Sequence, residues 1–259
     1  MIRVAVGGAT GKLGSLVCKG VVEAEDMELV GAIVSADGGN VGKELYPGVV
    51  AVGPDRRDEI IRGCDVYVDL TSPKVASEYI DTIPATGAAL VLGTTAVDEA
   101  SIAKMTSEVA KNGTSAVISA NFAIGVNVFW KMCETMATYL RDYDIEVIEA
   151  HHHHKKDAPS GTAMETVRRL QEASGIEDVI YGRQGVTGPR EREICVHSIR
   201  AGDIVGDHTV LFAGNNERIE LTHKAISREA FADGCIVTIR WVAGKKDGKV
   251  HNMKEVLGL

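Results

Sequence analysis

The chain is 259 residues long, 45% hydrophobic and 25% charged, proportions that exclude a disordered or fibrous protein and allow one large or two modest cores. Its formal net charge of −8 argues against a nucleic-acid partner, which needs a basic face, so any anionic ligand must be drawn by a local cluster of bases. No run approaches the roughly eighteen apolar residues of a membrane span, and five scattered cysteines without a C-x-x-C pair suit the reduced thiols of a cytoplasmic protein.

The first residues read as a strand, Ile2–Val6, not as a secretory leader. The strand enters Gly7-Gly8-Ala9-Thr10-Gly11-Lys12-Leu13-Gly14, after which Leu13, Leu16, Val17, Gly20, Val21 and Ala24 recur at helical spacing. A second strand covers Met27–Val34. Strand, glycine turn, helix and strand make the first half of a dinucleotide fold, in which a pyrophosphate rests on the helix N-terminus. Gly8, Ala9, Thr10, Gly11, Lys12 and Leu13 are the candidate contacts. The second strand runs into Ser35-Ala36-Asp37, without the acid that usually holds a ribose 2′-hydroxyl. With Lys12 able to face a 2′-phosphate, NADPH is favoured over NADH, which Asp37 leaves open.

Three further strands end in small polar residues. Cys64–Leu70 leads to a helix with Ser72 as N-cap and Pro73 as its first residue. Ala88–Thr95 ends in Gly93-Thr94-Thr95, and Ser115–Phe122 ends in Ala120-Asn121-Phe122. Near-continuous apolar strands alternating with helices imply a parallel sheet covered on both faces, with ligands outside the carboxyl ends of its strands.

Beyond Phe122 a long helix is predicted over Gly125–Leu140, with Val128, Met132, Met136 and Leu140 facing a core. Asp144–His151 alternates as a strand and runs into "HHHHKKDAPSGTA". If the backbone stays extended, His151 and His153 face one way and His152 and His154 the other. Adjacent histidines rarely converge on a metal, and no second Cys, His or carboxylate cluster is legible, so no metal is expected. Ser160-Gly161-Thr162 precedes a helix, and Thr162-x-x-Glu165 has the spacing of a capping box. Free amides there, with the Ser160 and Thr162 hydroxyls, make a carboxylate or phosphate seat. Lys155 and a neighbouring histidine stand beside it as acid–base candidates. Strands are predicted over Glu193–Ile199, His208–Ala213 and Arg218–His223, the last two joined by a Gly214-Asn215-Asn216 turn. His197, His208, His223 and His251 read as structural or surface residues.

The expected fold is α/β: a Rossmann-like parallel-sheet domain, residues 1–122 and 232–259, plus a smaller α+β domain with a mixed sheet, residues 123–231. "EAHHHHKKDAPSGTA" resembles the signature of the dihydrodipicolinate (4-hydroxy-tetrahydrodipicolinate) reductases of the diaminopimelate route to lysine. It matches at the first, second and fourth histidines, at Lys155, and from Asp157 through Ala163. "VAVGGATGKLG", "VLGTT", "SANFAIGVNV" and "RAGDIVGDHTVLF" are similar to that family in the same order.

The resemblance implies that His151 is the catalytic acid–base residue and Lys155 the proton donor. It implies that His152, Ser160, Gly161 and Thr162 hold substrate carboxylates. Gly8 to Leu13, Ser35, Gly93 to Thr95, and Ala120, Asn121, Phe122 and Ala123 would contact NADPH or NADH. The hydride would go to C4 of a cyclic imine formed after loss of water, with a proton delivered to the adjacent carbon. Many relatives carry an acid at the position of Ser35, and His153 stands where they vary. The resemblance also implies a cytoplasmic homotetramer assembled through the second domain. The runner-up is another two-domain NAD(P)-dependent dehydrogenase of an amino-acid or semialdehyde substrate.

Overall fold

A computed structural model describes residues 1–259, which divide into two compact units: Met1–Ile124 with Glu229–Leu259, and Gly125–Arg228. No helix is long and apolar enough to cross a membrane.

The first unit begins with β1 (Ile2–Gly7), α1 (Lys12–Glu23) and β2 (Met27–Ile33). It continues through β3 (Glu44–Tyr46), β4 (Val49–Val52), α2 (Arg57–Arg62), β5 (Val66–Asp69), α3 (Pro73–Ser77), β6 (Ala89–Leu92), α4 (Glu99–Asn112) and β7 (Ser115–Ile118). The second unit holds α5 (Ile124–Tyr139), β8 (Asp144–His151), α6 (Gly161–Ser174), β9 (Val179–Tyr181), β10 (Ile194–Arg200), β11 (Gly206–Ala213) and β12 (Arg218–Ala225). The chain then returns to the first unit with α7 (Glu229–Val242), β13 (Lys249–His251) and α8 (Met253–Leu257).

The first unit's eight strands run in the order β13-β7-β6-β5-β1-β2-β4-β3, and every pairing is parallel except β3 with β4. Both sheet faces are covered, so β5 and β6 are buried along their whole length; β6 is wholly apolar, and β5 is apolar up to the buried Asp69 at its end. One face packs Val17, Cys18 and Val21 of α1 with Cys235, Ile236 and Ile239 of α7 over Val4, Val6 and Val68. The other packs Ile80, Ile83, Met105 and Val109 over Ala5, Leu90 and Leu92. β1 lies between β2 and β5, where the strand order reverses, and ligands of such sheets bind at that point.

The second unit's sheet is mixed, in the order β12-β11-β8-β10-β9, with β8 parallel to β10 and antiparallel to β11. In β8, Ile145, Val147, Glu149 and His151 are buried, while Glu146, Ile148 and Ala150 on the opposite side are partly exposed. The fold class is therefore the expected one.

The core-facing side of α5 differs from expectation. Val128 and Met132 are 40% and 44% exposed, whereas Phe129, Trp130, Cys133 and Ala137 are buried. The helix is apolar nearly all round, so periodicity could not choose a face. Its larger rings did: the Trp130 indole N–H donates to Thr166 Oγ1 of α6 at 2.9 Å, with the Arg169 guanidinium over its ring.

Candidate active site

At the first unit's carboxyl strand ends, Gly8 takes a φ of +77°, and a Cβ there would lie 2.3 Å from the Leu70 carbonyl oxygen. A Cβ on Gly14 would lie 2.1 Å from the Gly8 oxygen, so the turn and α1 close only without side chains at both positions. Gly11 is the N-cap of α1 and offers no side-chain hydrogen bond, and no acid stands in the helix's first turn. The positive end of the helix dipole is thus left for an external anion, as a dinucleotide pyrophosphate requires. Ala9 is buried, Thr10, Gly11 and Lys12 are exposed, and Leu13 packs against the core. Ser35 is exposed just past β2.

The strand-end residues after β5, β6 and β7 behave differently from one another. Thr94 is buried, and its hydroxyl donates to the fully buried carboxylate of Asp69, which also accepts from the Thr71 hydroxyl and the Tyr79 phenol. Thr95 is exposed. Ala120, Asn121, Phe122 and Ala123 form a closed turn in which Ala123 N–H donates to Asn121 Oδ1 at 2.9 Å. Phe122 and Ala123 are buried, Phe122 lying against Gly93. Thr94, Phe122 and Ala123 therefore shape the crevice from within.

In the second unit β8 ends at His151, and the chain turns at once: Lys155 N–H donates to the His152 carbonyl at 3.1 Å. The extended alternation expected of the four histidines stops there. His153 and His154 are exposed in the turn with ring centroids 4.0 Å apart, His152 is half-buried, and His151 is 8% exposed. The N-cap of α6 is Ser160, whose Oγ accepts from Ala163 N–H at 3.1 Å. This corrects the expected Thr162–Glu165 capping box: Gly161 and Thr162 lie inside the first turn, and Glu165 pairs with Arg168 and Arg169. Arginines one turn on outcompete a backbone amide for that carboxylate.

His151 is held from behind. Its Nδ1 donates to Glu149 Oε2 at 2.5 Å, and Glu149 in turn accepts from Arg200 at 3.0 Å and 2.8 Å. Burial opposes the Glu149 charge, but the Arg200, Ser198 and His151 hydrogen bonds outweigh it and keep the carboxyl below its ordinary range. Burial also pushes His151 below its ordinary value, against the Glu149 hydrogen bond and charge, while Lys155 and Arg200 add to the lowering. The result is an imidazole neutral at pH 7 with Nδ1 engaged and Nε2 available.

His208 completes the group. It is buried, its ring centroid lies 5.2 Å from that of His151, and its Nε2 is 3.2 Å from Ser160 Oγ. Burial, with His151 beside it, drives its pKa down to about 3. Lys155 is only partly exposed, with Nζ 3.0 Å from Asp157 Oδ1. The structure thus gathers His151, Lys155 and Ser160 with two residues that sequence reasoning gave no role there, Glu149 and Arg200, and with His208, which it read as structural or surface. Glu149 sits inside the signature and Arg200 opens "RAGDIVGDHTVLF", so the signal lay in the pairing of those two stretches.

A mixed cluster that the sequence did not reveal lies on the opposite side of β8. Ligand atoms of Glu146, Cys195 and His197 lie within 4.8 Å of one another, because β10 sets Cys195 beside Glu146. Glu146 already accepts from His197, Arg183 and Arg190.

The model of the dihydrodipicolinate reductase N-terminus matches residues 2–122, and that of the C-terminus matches residues 125–257. The chain belongs to the dihydrodipicolinate reductase family. Its relatives in that family include the 4-hydroxy-tetrahydrodipicolinate reductase of Methanocaldococcus jannaschii, 46% identical over all of this chain and 98% of that one. The reductase of Methanothermobacter thermautotrophicus is 44% identical over the whole of both chains. Among solved structures, the dipicolinate-bound dihydrodipicolinate reductase of Paenisporosarcina sp. TG-14 superposes with a TM-score of 0.83 at 28% identity, covering 97% of each chain. The chain is thus a reductase of an NAD(P)H-dependent oxidoreductase family, and its first unit is the pyridine-nucleotide-binding domain.

Proposed function

We propose that this chain is a 4-hydroxy-tetrahydrodipicolinate reductase, acting in diaminopimelate and lysine biosynthesis. Its substrate is (2S,4S)-4-hydroxy-2,3,4,5-tetrahydrodipicolinate, which it reduces to tetrahydrodipicolinate with loss of water. The observation that carries this assignment is the acid–base group His151 and Lys155 beside the Ser160-capped start of α6, in a chain whose two halves both match the family. The dipicolinate bound to the solved relative is a planar dicarboxylate of the same skeleton. Carboxylates of that kind suit amides and hydroxyls at a helix N-terminus.

The first unit holds the dinucleotide, and the second holds the substrate and forms the oligomer. Gly8 to Leu13 seat the pyrophosphate, Ser35 and Lys12 face the adenosine ribose, and Gly93 to Thr95 with Ala120 to Ala123 border the nicotinamide. Ser35 leaves room where an acid would repel a 2′-phosphate, so NADPH is preferred to NADH. When bound, the reduced nicotinamide supplies a hydride. His152, Ser160, Gly161 and Thr162 orient the substrate through its carboxylates. Lys155 donates a proton to the ring carbon beside the one reduced, and His151 acts through Nε2 as the acid–base partner that keeps that proton available. The enzyme works in the cytoplasm as a homotetramer.

The deciding assay couples the chain to a synthase that makes the substrate from pyruvate and aspartate semialdehyde, and follows loss of NADPH or NADH absorbance. Oxidation of neither coenzyme would overturn the assignment.

A further inference from the structure

We infer that Glu149, locked by Arg200, is the positioning residue that sets the tautomer of His151 and so leaves Nε2 as its working nitrogen. This rests on the acid–base role proposed for His151. Glu149 is wholly buried, and its carboxylate accepts from Nδ1 of His151 and Nη1 of Arg200 at Oε2, from Nη2 of Arg200 at Oε1, and from the hydroxyl of Ser198, its register partner on β10. A neutral imidazole in that position must carry its proton on Nδ1, because a carboxylate oxygen has none to give. Nε2 is then a bare acceptor, ready to take a proton or, once protonated, to give it up.

Register fixes the arrangement. Arg200 of β10 stands opposite His151 of β8, and Glu149 lies two residues back on the same buried side. Arg200 also donates Nη2 to the Asp157 carbonyl at 2.5 Å, and Asp157 pairs with Lys155. One guanidinium therefore anchors both the carboxylate behind His151 and the loop that carries Lys155. The charged and titratable groups facing His151 are Glu149 on its own strand, Lys155 on the following loop, Arg200 on β10 and His208 on β11. Among them only Glu149 favours the imidazolium.

The discriminating change is Glu149→Gln in the full-length enzyme. An amide has one acceptor oxygen, one donor nitrogen and no charge, so it cannot accept from Nδ1 of His151 and both Arg200 nitrogens as the carboxylate does. With the oxygen on Nη2 the amide N–H₂ faces Nδ1 and the proton moves to Nε2; with the oxygen shared by Nη1 and Nδ1 the tautomer stays but loses the charge that held it. The expected result is loss of the exclusive Nδ1–H tautomer of His151, seen as a mixed or shifted population in ¹⁵N-imidazole NMR. Turnover should fall about 10²-fold or more, with substrate KM and NADPH affinity near wild type. The limb of the kcat–pH profile that His151 governs should move to lower pH, because the one favouring charge is gone. Glu149→Asp keeps the charge and both acceptors, so it should retain the Nδ1–H tautomer with a smaller loss of turnover, and it serves as the test if the glutamine variant does not fold.

Wild-type tautomer and turnover in Glu149→Gln, alongside an impaired His151→Gln, would overturn the inference alone. So would an aspartate variant with its proton on Nε2. Normal turnover in His151→Gln would overturn the acid–base assignment first, and with it the consequence of Glu149 for catalysis.

Discussion

A Cβ placed on Gly206 would lie 3.1 Å from Nε2 of His151 and 3.4 Å from its Cδ2. Gly206 begins β11, two residues before His208, and its missing side chain leaves the space directly at the nitrogen that Glu149 frees. Gly206→Ala should fill that space. We expect kcat to fall by about tenfold or more, since small displacements at a reacting group are costly, while NADPH affinity stays near wild type. Steady-state kinetics with coenzyme titration by fluorescence checks this, and unchanged kcat would show that the substrate approaches His151 from another side.

Lys155 has a different test. Lys155→Ala should lower kcat by about 10²-fold without loss of coenzyme affinity, because the side chain belongs to the second unit and pairs with Asp157. A variant with full turnover would remove the lysine from the proton pathway.

Ser160 combines two contacts, the α6 cap through Ala163 N–H and the approach to His208 Nε2. Ser160→Ala should cost about 1 kcal/mol of stability, the usual value of a lost N-cap, and should also raise the substrate KM. A thermal melt and a KM measurement separate the two effects. A shift in Tm with KM untouched would restrict Ser160 to a structural role.

The pH dependence of stability follows from His208. In the folded protein its pKa is about 3, against an ordinary 6.5. Between those values the unfolded chain binds a proton that the native state refuses. His208 therefore adds nothing above pH 6.5, and below it stability falls with pH by up to about 1.4 kcal/mol per unit. His208→Gln should flatten that acid branch in denaturant titrations from pH 6.5 down to pH 4. Equal slopes in the two proteins would show that the imidazole charges without unfolding.

Coenzyme choice is tested at Ser35, exposed just past β2. Ser35→Asp should shift the ratio of kcat/KM values towards NADH by placing a carboxylate where a 2′-phosphate would sit. No movement in that ratio would leave Lys12 as the group to examine.

How far the chain was legible depended on the range of the interactions. The turn after β1, the strands of the parallel sheet and the β11–β12 hairpin are local signals of glycine placement and apolar runs, and each lies where it was expected, although β6 and β7 stop at Leu92 and Ile118, before the polar residues assigned to their ends. The start of α6 was legible for the same reason, though its cap was set two residues too far along. His208, Glu149 and Arg200 required the register of β8 against β10 and β11, which joins segments some fifty residues apart and leaves no periodic trace. Likewise, α5 is apolar on most sides, and only the docking of Trp130 onto Thr166 decides which side is inside.

The first unit is assembled from two stretches of chain separated by the whole of the second. Its core needs Cys235, Ile236 and Ile239 of α7, its sheet ends in β13, and Gly234 packs so tightly on the Phe122 carbonyl that a Cβ would lie 1.8 Å from that oxygen. During synthesis the second unit therefore has all its parts before the first does. The first unit's sheet waits, with the face that α7 shares with α1 only partly covered, until residues 229–259 leave the ribosome. A nascent chain stalled after β12 therefore carries His151 and Lys155 beside a complete second sheet while the first unit still lacks α7 and β13.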